Sequence, residues 1–138
     1  MCGIFGYAGY ERDELLLRRM ADVLNHRGPD DRGFLLSDKV GIGMCRLSII
    51  DLAGGHQPIF NKDKTIAIIF NGEIYNYKEL KESLVGKGYQ FDTRSDTETI
   101  LHLYEEFGLD CVNYLQGMFS FAIYEIPKRK LYFARDRI

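Results

Sequence analysis

Short apolar runs alternate with helix-opening signals along this chain, and that alternation restricts the fold more than any other feature. Ile66 to Phe70 is a continuous apolar run of strand length. Ser95 followed by Glu98 has the form of a capping box, opening a helix that presents Ile100, Leu101, Tyr104 and Phe107, with Gly108 just past its end. Asn76 with Glu79 has the same form, ahead of a helix carrying Tyr77, Leu80 and Leu84 that Gly86 can close. Nearer the start, Asp13 is placed to cap a helix with Leu16, Met20, Val23 and Leu24 at helical spacing, ending near Asn25 before Gly28-Pro29.

Strands fill the intervals. Cys2 to Tyr7 reads as a buried strand, and Gly33 to Leu36 with Val40 to Cys45 reads as a hairpin around Ser37-Asp38-Lys39. Met118 to Glu125 and Leu131 to Ala134 read as strands joined through Pro127-Lys128-Arg129, whose basic side chains are expected in solvent. The result is an α+β fold with antiparallel sheet.

At 138 residues, with no repeat or low-complexity tract, the chain fits one domain. Such a length buries roughly two thirds of the unfolded surface, enough for a core without disulfides or metals. Lys and Arg number 18 against 20 Asp and Glu, with the signs interspersed, which argues against nucleic acid as a partner. Cys2, Cys45 and Cys111 form an odd set without a Cys-x-x-Cys pair, so reduced thiols and a cytoplasmic setting are expected. The first residues lack a basic leader, with Glu11 and Asp13 interrupting any apolar region, and no run is long enough for a membrane span. His26, His56 and His102 lack ligand spacing, so no metal is expected and all three read as structural.

Cys2 supports two readings. Buried cysteines are common small core residues and chemically inert. Yet once Met1 is removed, Cys2 carries a thiol and a free α-amino group on one residue. An α-amino group has an unperturbed pKa of about 7.7 to 8.0, so near neutrality part of it can accept the thiol proton. That is the logic of an N-terminal nucleophile.

Asn71-Gly72 is likewise double. As a dipeptide it signals a tight hairpin turn. The residues that follow, Glu73 to Tyr77, lead into the capped helix, so the Asn71 amide and Gly72 N–H could instead face a reacting carbonyl as an oxyanion hole. Arg46 is either a surface ion pair or a bidentate holder of a carboxylate. Asp96 either complements the helix dipole or binds an ammonium.

These residues stand in strings that resemble class II glutamine amidotransferases, and within them the asparagine synthetase branch. The strings are Met1-Cys2-Gly3-Ile4-Phe5-Gly6, His26-Arg27-Gly28-Pro29-Asp30, Arg46-Leu47-Ser48-Ile49-Ile50-Asp51, Asn71-Gly72-Glu73-Ile74-Tyr75-Asn76, Ser95-Asp96-Thr97-Glu98 and Leu115-Gln116-Gly117-Met118-Phe119. The resemblance implies a four-layer α-β-β-α N-terminal-nucleophile hydrolase sandwich. It also implies Cys2 as nucleophile with its amino group as base, and Asn71 with Gly72 as oxyanion hole. Arg46 resembles the holder of the glutamine α-carboxylate, Glu73 and Asp96 the partners of its α-ammonium, and Arg27 an arginine that helps position the nucleophile strand. Met44-Cys45 departs from the polar residues usual before that arginine, a matter of local packing.

The implied activity is hydrolysis of glutamine to glutamate and ammonia, as the ammonia-supplying part of an asparagine synthetase-like enzyme. The closing Arg135-Asp136-Arg137 belongs to a motif that in the family continues into more sheet, so residues 1–138 are expected to be a glutaminase domain incomplete at its C-terminal end. ATP and Mg are expected only in a synthetase domain absent from this sequence, which would accept the ammonia; a homodimer is compatible with the resemblance. The alternative is a non-catalytic module that binds glutamine or a partner domain with Met1 retained.

Overall fold

The computed structural model describes residues 2–47 and 55–137. Met1, whose removal the N-terminal nucleophile requires, and the Ser48-Ile49-Ile50-Asp51 part of one string lie outside the described residues.

Two antiparallel sheets form the centre. One has the order β1-β3-β2, from Gly3–Ala8, Val40–Arg46 and Asp31–Leu36. The other has the order β4-β5-β6-β7, from Ile59–Phe60, Ile66–Ile74, Gly117–Glu125 and Lys130–Arg135. Among the described residues, the α-helices α1 (Glu14–Leu24), α2 (Tyr77–Gly86) and α3 (Asp96–Phe107) cover them.

Strand periodicity dictates the layering, because alternate side chains point to opposite faces. In β3, Val40, Ile42 and Met44 point inward and meet Ile69, Ala122 and Tyr124 from β5 and β6. The other faces of β5 and β6 present Ile68, Phe70, Ile74, Phe121 and Ile123 to Leu84 of α2 and to Ile100, Leu101, Leu103 and Tyr104 of α3. On the far side, α1 lies against β1 and β3, close enough for the Cys45 thiol to donate to the Ala21 carbonyl at 3.3 Å. The order of layers is α-β-β-α, the sandwich that the motif strings imply. Because β5 is buried on both faces, it reads as an unbroken apolar run rather than an alternation.

Several elements differ from the sequence reading. β1 is an edge strand and only half-buried, with Gly6 and Ala8 exposed. The buried face of α1 is Leu17 and Ala21, one position round from the expected stripe, and Val23 is 73% exposed. A small residue is needed where Cys45 approaches the helix backbone, and Ala21 supplies it. Met44 and Cys45, the departure from family usage, are both buried, in the inter-sheet core and against α1 respectively.

β5 does not stop at Phe70 for a turn. It continues through Asn71-Gly72 to Ile74, paired with β6 along its whole length. The Asn76 box does not form: its side chain instead accepts from Gln116 N–H and donates to the Tyr114 carbonyl. Gly88, at φ +99, completes the chain reversal begun at the end of α2. Only half of the second box forms, with Ser95 Oγ accepting from Thr97 N–H while Glu98 turns to the preceding loop. At the β6–β7 turn, Arg129 pairs with Asp38 and Lys128 with Glu125, contacts whose basic partners are exposed.

Candidate active site

Where the ends of β1 and β3 meet the middle of β5 and the first turn of α3, a cleft of about 220 Å³ opens. Cys2, Arg46, Asn71, Gly72, Glu73 and Asp96 all line it. Elements far apart in sequence therefore bring six of the seven candidate residues together. Arg27 does not line the cleft. It sits behind β1 in a 3-10 turn, where a Cβ built on Gly3 would stand 3.4 Å from its Cβ and 3.3 Å from that of Leu24.

Cys2 precedes β1 and is half-buried, its sulfur accepting from Leu47 N–H at 3.4 Å. The other two cysteines face away. Burial pushes the Cys45 thiol up, and it pushes the Cys111 thiol to about 11, so both stay protonated and inert near neutrality. Of the three, Cys2 is the one at the cleft.

Arg46 ends β3 and is 7% exposed, which removes the surface ion pair as its explanation. Its guanidinium lies against the backbone of Gly55, where a Cβ would come within 2.2 Å of Nη2. Any side chain at Gly55 would displace that group, so glycine there is a condition of the guanidinium's position.

Asn71 and Gly72 sit opposite Ser120 and Phe119 in the β5–β6 ladder. Gly72 has φ +153, a conformation that L residues rarely adopt, and a Cβ on it would stand 2.1 Å from the Met118 carbonyl oxygen. Gly117 repeats the device on β6, at φ +156 and with a Cβ position 2.1 Å from the Glu73 carbonyl. Two backbones thus approach more closely beside the cleft than ordinary residues allow.

Asp96 opens α3 and accepts from Ile74 N–H at 3.1 Å. Burial pushes its carboxyl above the ordinary aspartate range, backbone N–H groups of Ile74, Thr97 and Asp96 oppose the rise, and the nearby Glu73 charge adds to it. Two carboxylates thus face one cleft, an arrangement whose charge suits a cation. Arg46 on the same wall supplies the complementary charge for an anion. The cleft therefore suits a small zwitterion with a reactive group that reaches Cys2.

Gln57 is a cleft residue that the sequence reading missed. Its side chain is 5% exposed, accepts from Phe70 N–H at 2.6 Å and donates to Thr97 Oγ at 3.2 Å. It ties the residue before Asn71 to the residue after Asp96. A glutamine ahead of a proline carries no local signal of partners 13 and 40 positions away. Among the described residues, no group of three or more His, Cys, Asp or Glu could hold a metal ion. Among them, too, no helix is long and apolar enough to cross a membrane.

Comparison with known proteins places this arrangement. A family profile described as glutamine amidotransferase domain matches residues 1–138. The chain is 47% identical over 143 aligned positions to glutamine-hydrolyzing asparagine synthetase 2 of Bacillus subtilis, covering 99% of this chain and 19% of that protein. It is 42% identical to glutamine-hydrolyzing asparagine synthetase B of Escherichia coli, covering 100% of this chain and 26% of that one. It thus spans about a fifth to a quarter of these curated relatives. Among solved structures, glutamine phosphoribosylpyrophosphate amidotransferase of B. subtilis matches with a TM-score of 0.73 at 22% identity, over 91% of this chain and 35% of that one. A structure of the allosteric regulatory enzyme of purine biosynthesis matches with a TM-score of 0.75 at 24% identity, over 89% and 35%. At those identities the structural likeness is one of fold.

Proposed function

We propose, from the premise that this chain belongs to the glutamine amidotransferase domain family, that its cleft hydrolyses the side-chain amide of glutamine with Cys2 as nucleophile. The observation that carries the reading is the meeting of a thiol at the start of one sheet's edge strand with Asn71-Gly72 from the other sheet, in a cleft that also holds a buried guanidinium and a half-buried carboxylate.

On this reading, Arg46 receives the α-carboxylate of glutamine through charge-assisted hydrogen bonds, and Asp96 and Glu73 receive its α-ammonium. The amide carbon is then held near the Cys2 sulfur. The α-amino group of Cys2, free once Met1 is gone, takes the thiol proton as the sulfur attacks. Charge collects on the amide oxygen, where the Asn71 side-chain amide and the Gly72 N–H stabilise it. The proton passes to the departing nitrogen, ammonia leaves, and water cleaves the thioester to release glutamate. Arg27, packed behind Gly3, holds the strand that carries the nucleophile.

The ammonia has a destination on the same reading. The relatives that match over this whole chain are named asparagine synthetases and are four to five times its length. An acceptor carboxylate, with ATP and Mg to activate it, belongs to a synthetase domain outside these residues.

The test is glutamate release from glutamine. Cys2→Ala should lower it on the order of 10³-fold or more, as removal of a nucleophile does. Equal release by the variant would overturn the assignment.

A further inference from the structure

Glu98 does not face the cleft, yet it is nearly inaccessible to solvent, with a side chain 6% exposed. Its carboxylate accepts three hydrogen bonds from the loop before α3: Asp92 N–H at 2.8 Å, Thr93 N–H at 2.7 Å and the Thr93 hydroxyl at 2.6 Å. Thr93 Oγ in turn accepts from Ser95 N–H at 3.1 Å, and Ser95 Oγ accepts from Thr97 N–H at 3.1 Å. The residue enclosed between Ser95 and Thr97 is Asp96.

Such a chain of bonds does more than cap a helix. A simple N-cap needs Ser95 alone, whereas here a buried charge is linked through Thr93 to the Arg94–Ser95 peptide N–H, and Ser95 in turn holds the Asp96–Thr97 peptide N–H directly after the Asp96 Cα. We propose that Glu98, acting through Thr93 and Ser95, is a positioning residue that sets the Asp96 carboxylate for recognition of the substrate's α-ammonium. This rests on the reading of Asp96 given above and assigns two residues, Glu98 and Thr93, that touch no substrate.

The surroundings keep the carboxylate charged and in place. Burial works against its charge, but the neighbouring His102, Thr93 and the Asp92 and Thr93 amides outweigh that and hold it at about 2. His102 lies 3.7 Å away through Nε2 and is fixed on its other nitrogen by Glu105 at 2.7 Å, with the rings of Tyr89 and Phe91 against it. The anchor is thus packed on the side away from the cleft.

A positioning role differs from general support in that it concerns one subsite. The probes are glutamine and glutaric acid monoamide, which has the same amide and one carboxylate but no α-amino group. Their binding is measured by calorimetry in the full chain carrying Cys2→Ala, so that turnover does not enter. Thr93→Val and Glu98→Gln should each weaken glutamine about tenfold while leaving the monoamide within about twofold, the scale of coupling between linked residues. Thr93→Ser, which keeps the hydroxyl, should restore glutamine binding. In an Asp96→Asn background, Thr93→Val should cause no further loss. Should Glu98→Gln fail to fold, the Thr93 pair and the double variant give the answer alone. Equal weakening of both probes, or undiminished glutamine affinity in Thr93→Val, overturns the proposal while leaving glutamine hydrolysis intact. Failure of the Cys2→Ala chain to bind glutamine at all overturns the reading beneath it.

Discussion

Three cysteines in one chain differ in what surrounds each sulfur. Cys45 and Cys111 are buried, and their thiols are raised beyond reach at neutral pH; Cys2 stands in a cleft beside Leu47 N–H. The sequence distinguished Cys2 by its position next to the initiator, a covalent fact that needs no fold to be read. Asn71 was legible only as one of two things, because an Asn-Gly pair is a turn or a functional pair according to partners that lie far away. Those partners are Ser120 and Phe119. Gln57 was not legible at all, since its worth lies entirely in Phe70 and Thr97. If Asn71 donates to the oxyanion, Asn71→Ala should lower kcat by roughly 10² to 10³-fold with little change in KM, because the bond strengthens only as charge develops. Steady-state glutamate release checks this, and a rise in KM at constant kcat would move Asn71 from the oxyanion to ground-state binding.

At the scale of elements, strands and helices were found and their ends were not. Local signals located α3 and its Ser95 cap, but the two expected boxes yielded to longer-range bonds. Asn76 is taken by Tyr114 and Gln116, and Glu98 by Asp92 and Thr93. β5 runs four residues beyond the apolar stretch because β6 continues to pair with it. The two-residue β4 and the 3-10 turn at Gly108–Tyr114 are too short for periodicity to show. The Glu98 anchor has a consequence for stability. Its carboxyl lies at about 2 in the fold, below the ordinary glutamate value near 4.3, so the charge stabilises the native state above roughly pH 5, and that contribution is lost as pH falls towards 2. The scale is on the order of 3 kcal/mol. Urea unfolding of Glu98→Gln should show lower stability than the parent at pH 7 and a gap that narrows at pH 3. A gap that stays constant across that range would assign the loss to packing instead.

The whole molecule is two sheets whose contact also holds the cleft together. Cys2 directly precedes β1 and Arg46 ends β3 of one sheet, while Asn71 and Gly72 lie in β5 of the other. The α+β class and antiparallel pairing were legible because apolar period and turn chemistry agree along the chain. The stacking of one sheet on the other came only with the family resemblance, because inward alternation in β3 does not say which strands it meets. Ile42, 1% exposed, lies at that contact. Ile42→Ala should cost about 2 to 5 kcal/mol, read from the urea midpoint, as truncations of fully buried aliphatics do. A loss under about 0.5 kcal/mol would mean that the sheets do not pack there.

On the proposed mechanism, Cys2 becomes the first residue once Met1 is removed and is the glutamine-cleaving nucleophile. Intact-mass spectrometry of the chain, before and after treatment with a diazo-ketone analogue of glutamine, tests it most directly. The expected result is a starting mass lighter by one methionine and, after treatment, a single adduct that maps to Cys2. A hydrolytically active chain that keeps Met1, or an adduct on Cys45 or Cys111 with Cys2 unmodified, would contradict it.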